Sequence, residues 1–81
     1  MTLSLEILSP TKTLARETSV DEIIVPALNG QMDILPQHTD LVTTLTTGDI
    51  HYRVGTIKKT ITISSGILCI ENQKVTATVE N

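Results

Sequence analysis

Apolar and polar residues alternate with a period of two along much of this chain, the mark of strands that bury one face. Leu3, Leu5 and Ile7 alternate with Thr2, Ser4 and Glu6. Ser9-Pro10-Thr11-Lys12 then turns the chain, with Pro10 preset in φ for the second position of a type I turn and Ser9 placed to bond the backbone. Thr13 to Val20 is polar and only weakly alternating, which predicts an exposed edge strand. Ile23, Ile24 and Val25 form a short buried run, and Pro26 ends it because proline has no N–H for a ladder. Met32 to Leu35 reads as extended until Pro36. Leu41, Thr43 and Leu45 share one face of the next strand and Val42 and Thr44 the other. After a turn at Thr47-Gly48-Asp49, Ile50, Tyr52 and Val54 oppose His51 and Arg53. Beyond Gly55-Thr56, Ile57, Ile61 and Ile63 share a face with Lys59. That lysine belongs at a rim, where its stem covers apolar surface and its ammonium reaches water. Ile67 to Ile70 is apolar at every position, which predicts a strand covered on both sides. Asn72-Gln73 supplies a two-residue hairpin loop, and Val75, Ala77 and Val79 supply a last strand.

These segments predict an all-β protein, a β-sandwich or flattened barrel of nine to ten short antiparallel strands with no helical segment. The 81 residues allow one domain spanning 1–81, and a domain of this size buries only about 60–65% of the surface its unfolded chain exposes. There is no Phe or Trp and Tyr52 is the one aromatic, so the core is built from Ile, Leu, Val and Met. The net charge of -3, with six Lys and Arg residues scattered along the chain, gives no basic stripe for nucleic acid. One cysteine makes no internal disulfide, which a reducing cytoplasm allows. No signal-peptide pattern or membrane-length apolar run occurs, so a soluble protein is expected.

Catalytic motifs are missing. None of the glycines at 30, 48, 55 and 66 stands in a phosphate-binding Gly-x-x-x-x-Gly-Lys-Ser/Thr loop, and there is no Gly-x-Ser-x-Gly elbow or zinc-like Cys/His spacing. Cys69 falls inside an apolar strand, where a thiol packs rather than reacts. Asp33, His38 and Asp40 are close in sequence and are weighed as a metal or acid-base cluster. On a polar loop such groups are more often solvated. His51 is read as solvated, and the chain is expected to need no cofactor and to be no enzyme.

The stretch Val25-Pro26-Ala27-Leu28-Asn29-Gly30-Gln31-Met32-Asp33-Ile34-Leu35-Pro36-Gln37-His38, followed by Leu41, Leu45 and Gly48, resembles the signature of the epsilon subunit of F-type ATP synthases. Ser64-Ser65-Gly66-Ile67-Leu68-Cys69-Ile70-Glu71-Asn72-Gln73-Lys74-Val75-Thr76 is similar to that family's Ser-Gly-Gly, apolar strand, short turn and Val-Thr ending. With Leu3-Ser4-Leu5-Glu6-Ile7-Leu8-Ser9-Pro10, the likeness runs through essentially the whole chain. Two departures stand out. His38-Thr39-Asp40-Leu41 replaces the common His-Ala-Pro-Leu and looks closer to the sodium-type branch, and Ser65 and Ile67 stand where a glycine and an aromatic are usual, with Ile67 expected to fill the core.

The resemblance implies a rotor-stalk subunit that clamps the gamma subunit to the membrane c-ring and so couples ion flow to ATP synthesis or hydrolysis. It implies a gamma contact through His38, Leu41 and Thr43, and a c-ring contact through the loop Asn29, Gly30, Gln31, Met32 and Asp33. Which face of the segment from His38 to Leu45 meets gamma stays open: His38, Asp40, Val42 and Thr44, or Leu41, Thr43 and Leu45, with a bend or bulge after His38 needed for His38 and Thr43 to share it. Placement at the cytoplasmic side of a bacterial inner membrane, peripheral through the complex, follows from the same likeness. The family usually continues into a pair of helices. Because this sequence stops at Asn81, ATP binding and a helix-extension brake are not expected. The competing class is a free-standing β-sandwich adaptor with no rotary partner.

Overall fold

The computed structural model describes residues 1–81. Nine strands follow one another with no helix: β1 (Leu3–Leu8), β2 (Thr13–Val20), β3 (Glu22–Ala27), β4 (Gly30–Ile34), β5 (Leu41–Leu45), β6 (Gly48–Val54), β7 (Ile57–Ile63), β8 (Gly66–Glu71) and β9 (Lys74–Val79). No helix is long and apolar enough to cross a membrane. The strands join in the order β2-β1-β9-β8-β5-β3-β6-β7, with β4 paired to β3. The ladder narrows to one pair, Ala27 with Leu45, between β3 and β5. There the sheet folds over itself, giving a first layer β2-β1-β9-β8-β5 and a second layer β4-β3-β6-β7.

The period-two alternation decides what lies between the layers. All 16 buried residues are hydrophobic, among them Leu3, Leu5 and Ile7 of β1, Ile23 and Val25 of β3, Ile50 and Tyr52 of β6, and Leu68 and Ile70 of β8. Burying each of these aliphatic side chains is worth about 1.5–3 kcal/mol. Tyr52, the only aromatic, donates its hydroxyl to Glu17 Oε2 at 3.3 Å. Lys59 Nζ reaches the same oxygen at 3.0 Å. This small polar group ties the β2 edge of the first layer to the second, and it places Lys59 on the core-side rim as its position in the pattern predicts.

Three local expectations change. β1 and β9 run parallel, Ser4 opposite Lys74 through Leu8 opposite Thr78, whereas an all-antiparallel sheet was expected; the other strand pairings are antiparallel. Pro26 lies within β3 and pairs with Gln31 rather than ending the strand. Its carbonyl accepts from Thr46 N at 2.8 Å, which fastens β3 to the start of the β5–β6 turn. β8 is covered on one side only. Leu68 and Ile70 are buried, but Ile67 is 56% exposed and so does not fill the core. Cys69 is half-buried on that same outer side, not packed away in an interior strand.

The Asn72-Gln73 loop forms as expected, with φ of 51° and 66° at its two residues, the left-handed pair a tight hairpin needs. At Gly66 a side chain is forbidden for a different reason. A Cβ there would collide with the carbonyl oxygen of Thr78 on β9. The surviving glycine of the Ser64-Ser65-Gly66 run is thus the one that lets β8 and β9 approach.

The registers sort the connections into two ends of the sandwich. The turns at 9–12, 28–29, 46–47 and 64–65 gather at one end, while the loop 35–40 and the turns at 55–56 and 72–73 gather at the other. The molecule measures 30 × 22 × 19 Å.

Candidate interaction surfaces

Every second residue of a strand points away from the core, so each layer has an outer face. On the first layer, cross-strand pairing brings Leu8, Thr78, Ile67 and Thr44 into one row. Leu28 N donates to Thr44 O at 3.2 Å, which carries this row to the tip of the β3–β4 hairpin. A second row places Thr76, Cys69 and Val42 side by side. From β9 to β5 the face is therefore aliphatic and threonine-rich and carries no charge, and the second row becomes charged only where Thr76 meets Glu6 on β1. Its most exposed apolar groups are Val42 at 68%, Leu28 at 66% and Ile67 at 56%. Charges stand at its border, where Glu6 Oε2 accepts from Arg16 and Glu71 lies opposite Lys74.

The outer face of the second layer has the contrary character. Glu22, Asp33, Asp49, His51, Arg53, Lys58, Thr60 and Thr62 project from it around Ile24. Asp49 Oδ1 accepts from the Thr62 hydroxyl at 2.7 Å. His51 Nδ1 lies 2.9 Å from Thr60 Oγ1. Arg53 sits between Asp21 at 3.7 Å and Glu22 at 3.9 Å. Glu22 is held above its ordinary 4.5 by a hydrogen bond to Asp33 and by that neighbour's charge. Such exposed pairs contribute little to stability, and they leave this face well solvated.

The structure separates the site residues that sequence placed close together. Asp33 stands on the second outer face, while His38 and Asp40 lie in the loop at the far end from the hairpin tip. There His38 N donates to Leu35 O at 3.2 Å, and its Nδ1 lies 2.8 Å from Thr39 O. Asp40 Oδ1 accepts from Asn72 N at 3.1 Å. Asp33, His38 and Asp40 thus form no joint cluster. Leu41 and Thr43 lie on the inner side of β5, opposite Ile70 and Leu68. Thr43 is half-buried and Leu41 is 36% exposed at the strand's start. Val42 and Thr44 are the outward pair. Of the residues Asn29 to Asp33, Asn29, Gly30 and Gln31 are exposed around the hairpin tip, and Gly30 has φ 114°. Met32 turns inward against the core.

Pattern reasoning missed Ile67, Cys69 and Leu28 as surface groups. Within Ile67 to Ile70 every residue is apolar, so alternation has no contrast to work on. Only the pairing with β5 and β9 shows which two face outward.

The family model described as "ATP synthase, Delta/Epsilon chain, beta-sandwich domain" matches residues 2–81. This chain belongs to that family. It is 36% identical over 81 residues to an ATP synthase epsilon chain of Prochlorococcus marinus (strain MIT 9301), covering 100% of this chain and 60% of the relative. It is 35% identical to the chloroplastic ATP synthase epsilon chain of Pinus koraiensis, covering 58% of it. The chain thus spans somewhat over half the length of these relatives. A chain in the Euglena gracilis mitochondrial ATP synthase structure, "OSCP/F1/c-ring in rotational state 1", has the same fold with a TM-score of 0.92 at 20% identity, over 99% of this chain and 51% of that one. One in the Tetrahymena thermophila structure, "central stalk/cring", gives 0.83 at 14% identity over 100% of this chain and 65% of that one.

Proposed function

We propose that this chain is the β-sandwich part of a non-catalytic rotor-stalk subunit of an F-type ATP synthase, joining the gamma subunit to the membrane c-ring. The observation that carries the reading is the family match over residues 2–81. The two unlike surfaces described above give it a physical form. A torque coupler needs a stiff body with separate adhesive regions, and a doubly layered aliphatic sandwich supplies the body.

The gamma contact is assigned to the outer face of the first layer, with Val42, Thr44 and Ile67 as its centre. Uncharged groups of this kind suit the desolvated core of an interface. His38 and Leu41 stand at its far margin, and Thr43 supports β5 from the inner side. The c-ring contact is assigned to the hairpin tip, with Asn29, Gly30 and Gln31 foremost. Met32 anchors β4 from within, and Asp33 lies too far along the strand to lead the contact. In this role the subunit is peripheral to the membrane, on the cytoplasmic side in a bacterium, and couples ion flow to ATP synthesis or hydrolysis.

The test is capture of separately expressed gamma subunit and detergent-solubilised c-ring by the tagged chain. Recovery of both is expected. Recovery of neither, from protein that still melts cooperatively, overturns the rotor reading in favour of a free-standing adaptor.

A further inference from the structure

A sheet that does not close leaves strand edges with unpaired N–H and C=O groups, and proteins commonly blunt such edges with bulges, short strands or charge. The outer edges here differ. β2 meets β1 with two register irregularities. β4 is five residues long. β7 is seven residues long and pairs with β6 without interruption, from Gly48 opposite Ile63 to Val54 opposite Ile57. It ends the strand order, and no strand pairs with its other side. At its C-terminal end the Thr62 carbonyl accepts from Asn81 Nδ2 at 2.9 Å; over Ile57 to Ile61 no strand takes up the outward backbone donors and acceptors.

The side chains along this edge carry a pattern. Ile57 is 60% exposed, and Lys58, Lys59 and Thr60 are exposed as well. Ile57, Lys59 and Ile61 lie on the core-side rim, while Lys58 and Thr60 lie on the outer face. Lys59 is paired with Glu17. Lys58 takes part in none of the molecule's salt bridges, and Arg53 stands opposite it on β6. Lysines on an edge guard against chance pairing, and the same charges select what does pair. Cross-strand neighbours of opposite charge stabilise a ladder and like charges weaken it.

We infer that the free edge of β7 is a docking site for an acidic, extended protein segment that adds to the sheet as a further strand. Main-chain bonds supply the attachment in this mode and alternate side chains supply the choice. In the antiparallel sense the added strand reads apolar opposite Ile61, polar opposite Thr60, acidic opposite Lys59 and Lys58, and apolar opposite Ile57. The site is on a different layer from the proposed gamma surface and does not depend on that reading.

The test uses the full chain, isotopically labelled, titrated with the peptide acetyl-Thr-Val-Thr-Glu-Glu-Val-Thr-amide and followed by amide resonances and hydrogen exchange. Shifts and slowed exchange confined to residues 57–63 and their β6 partners are expected, weakening as salt is raised. Lys58→Glu, an exposed position without an ion pair, is expected to weaken binding by about tenfold. A peptide with lysine in place of the facing glutamate is expected to restore it. The proposal is overturned by silence at residues 57–63, or by equal binding of the lysine peptide to the unaltered protein. It is equally overturned if inorganic phosphate or phosphatidylserine vesicles give the same shifts, or if β7 shifts with protein concentration alone, the sign of a second copy on the edge.

Discussion

The two outer faces of the sandwich are built on the same alternation and have opposite chemistry. On the second layer the outward positions around Ile24 are mostly charged or hydroxylated and several satisfy one another, as Arg53 does with Asp21 and Glu22 and Asp49 with Thr62. On the first layer, inside a border where Glu6 pairs with Arg16, they are Val42, Ile67, Cys69 and a run of threonines, with no charge among them. An aliphatic group at the surface gains nothing from water, so a face that gathers several is explained by a partner better than by folding. The charged face needs no such explanation.

The largest effect expected from breaking this comparison lies within one strand. Ile70→Ala removes a group that is 1% exposed and should cost about 2–5 kcal/mol, a large part of the ~5–15 kcal/mol a small domain has. Ile67→Ala, three residues away and outward, should cost less than about 0.5 kcal/mol. Urea unfolding of the pair checks it, and comparable losses for both would mean that the outer face is structural after all.

Binding should divide the two faces in the same way. Val42→Asp with Ile67→Asp is expected to weaken gamma capture by about 30-fold or more, the scale of an interface hot spot. Thr62→Lys on the other layer should leave it unchanged. Equal losses from both changes would put the gamma contact elsewhere.

A smaller effect concerns the rim that holds the layers together. Burial first, and then the charge of Glu17, raises the Tyr52 hydroxyl above its ordinary 10.0. The hydrogen bond to Glu17, and then its charge, raises Lys59 above its ordinary 10.5. Both groups keep their protons longer in the folded state. Their contribution is therefore complete below about pH 10 and is lost as pH rises through the folded values. The melting temperature should fall as pH rises above about 10, and Tyr52→Phe should flatten that fall. An identical alkaline profile for the variant would remove Tyr52 from the linkage.

The smallest effect is expected at the hairpin tip. Gln31→Lys changes one exposed polar contact, worth about 0–1 kcal/mol. C-ring affinity measured by surface capture should move by less than about fivefold while gamma capture and melting stay as they were. A loss beyond that would make the tip a dominant anchor.

Much of this fold was legible because contrast was present in the sequence. Leu3, Ser4, Leu5, Glu6 and Ile7 alternate cleanly, and β1 buries the three that alternation names. Asn72-Gln73 announced its own turn. Legibility failed where contrast or locality failed. Ile67 to Ile70 offers no polar residue to mark an outward side. The parallel β1–β9 pairing joins segments some seventy residues apart, and no local pattern reports strand direction. The site residues suffered from the same limit: Asp33 and His38 are five positions apart in sequence, yet β4 carries one along a sheet face and the following loop carries the other round the end. The family resemblance supplied partners and a loop, but only the registers showed that Val42 and Thr44, rather than Thr43, point outward.

The parallel union of β1 and β9 has a mechanical consequence. Both strands run the same way, so tension applied at Thr2 and Glu80 pulls them past each other along their length. Their hydrogen bonds, evenly spaced and slanted in a parallel ladder, then bear the load together in shear instead of opening one at a time like a zip. In the proposed rotor role the body would meet sideways force at every step, and a seam loaded in shear resists such force along its whole length.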